Sequence, residues 1–181
     1  MKIRTMLCLF PALLLAATAV SFAGPQKAAD TASVKEGILT AADVGNKLLP
    51  EKVFFRGQIA PVQARNTGGV RYADGFMVFA GLVDSSGYST GIREKYQAYL
   101  ISEVPVEIGG QTLKPGASGI GFLDGNKFVV MDLGANDVLQ APSMKDAEMK
   151  RPVPLQFLAG AGAGSYRLYH GRDYVEFHRA K

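Results

Sequence analysis

From Glu51 onward the chain alternates short apolar stretches with glycine, proline and aspartate, at roughly the 8 to 12 residue spacing of antiparallel sheets. That pattern predicts strands over 52–56, 62–65, 70–72, 76–83, 96–103, 106–108, 120–123, 127–133, 155–158, 165–169 and 173–178. No run between them keeps a long helical period, apart from a short turn of helix over 143–150, so a parallel sheet with helical crossovers is not expected. The expected fold is all-β, an antiparallel sandwich or a partly closed barrel. Ahead of it Thr40, with Asp43 three residues on, Val44, Leu48 and Leu49 on one side and Pro50 as a stop, predicts a short helix.

Turn chemistry sharpens three of the strand pairs. Gly171-Arg172 between SYRLYH and DYVEFH predicts a type II′ hairpin, which aligns Leu168 with Val175 and Tyr166 with Phe177. Its other face then pairs Arg167 with Glu176 and Tyr169 with Tyr174, so both faces are chemically consistent. Asp124-Gly125 between GIGFL and NKFVVM predicts a second hairpin, through a two-residue type I′ turn. Val62 to Tyr72 reads as a third, with a three-residue Thr67-Gly68-Gly69 loop. Lys127 to Leu133 is apolar on both pleat faces and predicts a central strand covered on each side. Asp132 within it is either a buried carboxylate needing backbone partners or a turn cap at the strand end; the turn preference of aspartate favours the cap.

Residues 1–23 follow a different pattern. Lys2 and Arg4 precede an almost unbroken apolar run from Met6 to Val20, and Ser21-Phe22-Ala23 puts small residues where a signal peptidase reads. A retained anchor is the competing reading, but Pro11 and the small residues closing the run favour a cleaved signal peptide ending before Gly24. Gly24 to Lys35 is small and polar without apolar period, a flexible leader. The expected organisation is a signal peptide over 1–23, leader and short helix over 24–50, and one β domain over 51–181, periplasmic or secreted, with no stable membrane insertion after cleavage.

Composition narrows the chemistry further. The only cysteine, Cys8, lies in the signal segment, which leaves the expected mature chain without disulfides or thiolate chemistry. Half of the +4 formal charge is carried by Lys2 and Arg4, and no block of like charges provides a footprint for nucleic acid. Twenty-one glycines, seven tyrosines and ten phenylalanines suit a turn-rich β protein.

Gly87-Tyr88-Ser89-Thr90-Gly91 satisfies the G-x-S-x-G pattern of a nucleophile elbow. Catalysis there would need His170 or His178 beside Ser89, with an acid such as Asp84 behind it. Gly160 to Gly164 lacks the spacing of a phosphate loop, and Asp84-Ser85-Ser86-Gly87 lacks the closing Glu of a calcium loop. With two histidines and no mature cysteine, no metal site or cofactor is expected. The Gly109-Gly110 turn followed by Leu113-Lys114-Pro115-Gly116 resembles the L-x-P-G corner of secreted bacterial β-sheet domains of unknown function, over roughly residues 96–133. The resemblance implies a β-sandwich outside the cytoplasm and no particular reaction.

The functional expectation is an exported, non-enzymatic binding or envelope-associated domain. Its rivals are a small serine hydrolase built on Ser89 with His170 or His178, and a hydrophobic-ligand carrier with a barrel cavity. The expected ligand site follows from the third hairpin, whose register sets Arg65 directly opposite Arg71 beside Gln63. Two facing guanidiniums repel, and a bridging small anionic ligand would reverse that cost.

Overall fold

The computed structural model describes residues 35–181, so the expected signal peptide and residues 24–34 of the expected leader lie outside the described residues. In chain order come β1 (Gly37–Leu39), α1 (Ala41–Leu48), β2 (Lys52–Phe55), β3 (Gln58–Arg71), β4 (Met77–Val83), α2 (Thr90–Lys95), β5 (Ala98–Ser102) and β6 (Val106–Ile108). There follow β7 (Gln111–Leu113), β8 (Gly116–Leu123), β9 (Lys127–Met131), β10 (Asp137–Pro142), β11 (Met144–Lys145), β12 (Gln156–Ala159), β13 (Ser165–His170) and β14 (Asp173–Arg179). The larger sheet runs β1-β3-β4-β5-β8-β9-β10, with β2 also paired to β3. The smaller runs β12-β13-β14-β6-β7, with β11 beside β14. Among the described residues every pairing is antiparallel and no barrel closes, so the all-β class holds in its sandwich form.

Pleat alternation explains the layering. Val78, Ala80 and Leu82 of β4, Ala98 and Leu100 of β5, and Phe128 and Val130 of β9 face the smaller sheet, where they meet Val106, Phe157, Leu168, Val175 and Phe177. The intervening residues Phe79, Val83, Tyr99, Val129 and Met131 point the other way. There they are covered by Val44 and Leu49 around α1, by Val53 and Phe55 of β2, and by Tyr88 and Tyr96 flanking α2. The middle of the larger sheet is thus buried on both faces, as the unbroken apolar run of β9 predicts. A fully buried side chain such as Phe128 contributes about 1.5–3 kcal/mol through the area removed from water.

The Gly171 hairpin forms in the expected register, with Leu168 opposite Val175, Tyr166 opposite Phe177, Arg167 opposite Glu176 and Gly171 at φ 63°. The expected short helix also forms, and Thr40 N–H and Oγ1 both donate to the Asp43 carboxylate, at 2.9 and 2.7 Å.

Four expectations are corrected. The Asp124 turn has three residues, not two: Leu123 faces Lys127, and positive φ falls on Gly125 and Asn126. No helix forms over 143–150; β11 instead pairs with β14, Met144 against Tyr174. The folded unit begins before Glu51, since β1 joins the sheet edge and α1 packs on β3. The hairpin over Val62 to Tyr72 does not exist: β3 is one strand through Gly68 and Gly69, with Arg71 opposite Met77 on one side and Gly37 on the other. Those glycines serve close approach rather than a turn. A Cβ on Gly69 would stand 2.6 Å from Phe79 Cβ and 2.7 Å from the Val78 carbonyl oxygen.

Candidate functional site

The long strand β3 is interrupted by a bulge that decides where Arg65 goes. Val62 faces Val83 and Thr67 faces Gly81, so Gln63, Ala64, Arg65 and Asn66 stand against the single residue Leu82. Asn66 Nδ2 donates to Gln63 Oε1 at 2.8 Å, and Thr67 Oγ1 donates to the Ala64 carbonyl at 3.0 Å. Gly45 lets α1 sit on this bulge, since a Cβ there would press on the Ala64 carbonyl oxygen at 3.3 Å.

The bulge presents Arg65 to a groove of about 420 Å³ at the corner where the edge strands β1 and β12 approach one another. Ile38 and Thr40 form one wall, Arg65 and Asn66 the floor, and Val153 and Leu158 the other wall. Ile38, Val153 and Leu158 are three of the nine large apolar side chains left exposed among the described residues, which makes this a wet apolar surface with one guanidinium in it. Arg65 takes part in none of the four ion pairs formed among the described residues. Gly160 N–H donates to Ser165 O and Gly171 N–H to Pro154 O, which assigns the even positions of β12 to the ladder with β13. The backbone polar groups of Phe157 therefore turn toward the free edge, on the groove side.

The structure brings Gln63 and Arg65 together in one bulge but not Arg71. Arg71 lies on the α1 side of β3, where its Nη2 contacts Met77 Sδ at 3.7 Å. Its charge also reaches Asp43, whose carboxyl is held below the ordinary range chiefly by the Thr40 hydroxyl and N–H. The paired-arginine site is therefore withdrawn, because its register required a turn at two glycines that are strand residues.

Ser89 is the N-cap of α2, exposed and with extended backbone (φ −62°, ψ 155°). The elbow context of strand, turn and helix is present, but the histidines make their contacts elsewhere. His178 Nε2 pairs with Glu107 at 3.6 Å, and His170 stacks on Phe122 with centroids 5.9 Å apart. Burial holds the His170 imidazole below its ordinary pKa. Asp132 proves to be the turn cap: its Oδ1 accepts from the backbone of Gly134 at 2.8 Å and of Asn136 at 2.9 Å. Hydrogen bonds from the Asn136 side chain and these amides keep its carboxyl low. Among the described residues no cluster of three or more His, Asp or Glu is disposed to hold a metal. Between the sheets a cavity of about 10 Å³ is lined by Val78, Leu100, Phe128 and Phe177, barely the room for one water.

The groove walls escape sequence reasoning because they come from three distant stretches, around Ile38, Arg65 and Val153 to Leu158, none patterned for binding. Comparison with protein-family models, with curated proteins and with solved structures finds no match.

Proposed function

We propose that this chain is an exported, non-enzymatic binding domain whose ligand site is the Arg65 groove, and that the ligand is an amphiphilic anion. The observation that carries this reading is the coincidence of exposed Ile38, Val153 and Leu158 with one unpaired guanidinium around a groove of about 420 Å³. That volume lies within the range of small-ligand sites, and such sites combine apolar walls with a few placed polar groups. A carboxylate, sulfate or phosphate head accepts charge-assisted hydrogen bonds from Arg65, while the second Asn66 amide hydrogen and the Phe157 N–H offer further donors. The tail lies on Val153 and Leu158.

Export supports the same reading, since the apolar N-terminal run and the absence of mature cysteine suit a domain working outside the cytoplasm. The solid core argues against the carrier with an internal cavity, and the positions of Ser89 and the histidines argue against a triad.

The test is isothermal titration with octanoate and with octanol. Octanoate should bind more tightly than octanol, and Arg65→Gln should remove that difference, about tenfold for one charge-assisted hydrogen bond. Leu158→Asp should weaken both ligands, and Arg71→Gln should change neither. Equal binding of the two ligands by parent and Arg65→Gln would overturn the assignment.

A further inference from the structure

A second surface stands apart from the groove, on the hairpin of β2 and β3. Phe54 and Ile59 are directly opposite one another in its ladder and are the two most exposed large apolar side chains among the described residues, at 59% and 63%. The opposite face of the same hairpin is ordinary core: Val53, Phe55 and Ala60 are buried against the larger sheet. The outer apolar pair is therefore not required by folding. Lys52 shares that outer face two residues along the strand from Phe54, opposite Pro61, and Arg56 occupies the tip.

The tip is built in an unusual way. Arg56 and Gly57 are both at positive φ, 45° and 77°, the arrangement of a two-residue type I′ turn. Glycine, asparagine and aspartate fit the first of those positions better than arginine does, so a cation stands here against local preference. The Arg56 N–H donates to the Leu133 carbonyl at 2.8 Å, which ties the tip to a neighbouring loop whose Leu133 side chain is also exposed. Neither Lys52 nor Arg56 joins an ion pair among the described residues. Of the nearby acids, Glu51 precedes β2 at the hairpin base, Asp84, whose N–H donates to the Pro61 carbonyl, turns its carboxylate to the Ser86 N–H, and Asp132, beside Leu133, accepts from the Gly134 and Asn136 amides of its own turn.

We propose that this hairpin docks the protein on an anionic lipid surface, with Phe54, Ile59 and Leu133 entering the boundary between headgroups and acyl chains while Lys52 and Arg56 contact lipid phosphates. Charge complementarity selects this occupant. An apolar pair with unpaired cations at its tip and on its outer face, and with the neighbouring acids at the base or bonded within their own turns, matches a surface that is oily beneath and negative above, whereas a purely apolar partner would leave both cations unmatched. An aromatic and a β-branched side chain on a rigid hairpin insert with little entropy to lose.

The experiment is co-sedimentation of the protein, as recovered from an export-competent bacterial host, with two vesicle types. One is phosphatidylcholine alone and the other phosphatidylcholine mixed with phosphatidylglycerol. The parent should sediment with the anionic vesicles and much less with the neutral ones. Phe54→Thr with Ile59→Thr, which keeps strand propensity, should lower anionic-vesicle partition by about tenfold or more. Lys52→Gln with Arg56→Gln should remove the preference for phosphatidylglycerol, and Lys145→Gln, at an exposed cation on β11 away from the hairpin, should bind vesicles as the parent does, which separates the hairpin's cations from surface charge in general. Far-ultraviolet circular dichroism confirms that each variant is folded. Parent protein that ignores anionic vesicles, variants that sediment like the parent, or a concentration-dependent dimer abolished by the threonine pair without vesicle binding would each overturn the proposal.

Discussion

At the scale of single residues, the fold contains polar atoms that packing strands without partners. Tyr96 is fully buried, stacks on Phe55 with centroids 3.9 Å apart, and its hydroxyl finds no hydrogen-bond partner. Tyr72 is in the same condition, and burial pushes its phenol pKa up to about 12. An unsatisfied buried hydroxyl costs about 1–3 kcal/mol, while the ring supplies the packing. Tyr96→Phe should therefore raise stability, by about 1 kcal/mol, read as a higher urea midpoint at unchanged slope. A lower midpoint would show that the hydroxyl holds a partner such as an internal water. The contrast with Tyr88 sharpens the point, because its hydroxyl donates to the Phe55 and Gln58 carbonyls at 3.0 and 3.1 Å and locks the same hairpin in place. Sequence marks both as tyrosines before a turn or strand, and only the packing distinguishes a tied hydroxyl from a stranded one.

At the scale of elements, two glycine sites look alike in sequence and act oppositely. Gly171 sits at positive φ in open space, so its role is conformational. Gly69 lies in a strand where any side chain would strike Phe79 and the Val78 carbonyl, so its role is steric. Gly171→Val should destabilise by about 1 kcal/mol or more through forced positive φ. Gly69→Ala should cost about 1–3 kcal/mol through overpacking, although alanine is normally mild in a strand. Thermal denaturation of both variants checks this, and an unchanged midpoint for Gly69→Ala would restore a turn at that position. This difference also explains what was legible. The Gly171 hairpin could be read because its alternation, turn residue and cross-strand charges are all local and agree. The Thr67-Gly68-Gly69 turn was misread because the demand for glycine there comes from β4 and β12, which sequence reading cannot place against it. β1 and β10 were missed for a related reason, being short or polar edge strands held by their neighbours rather than by their own pattern.

At the scale of the whole described region, cohesion is graded from the middle of the larger sheet outward. β9 lies between β8 and β10, and Phe128 to Met131 are fully buried, with core on both faces. β1 and β12 are edge strands whose outer backbone groups face the Arg65 groove, with a strand on one side only. Local opening should follow that gradient, since few contacts have to break at such an edge. Hydrogen exchange should find the slowest amides at Val129 and Val130, and the ladder-bonded amides of Leu39 and Leu158 exchanging through openings that cost at least about 2 kcal/mol less. The groove can then admit a ligand by parting its walls while the shared sheet stays closed. Octanoate should accordingly slow exchange at Leu39 and Leu158 more than at β9, because a ligand held between β1 and β12 opposes the openings that separate them. Equal protection of β1, β12 and β9 before ligand is added would mean that the corner is as rigid as the centre, and entry would then need another route.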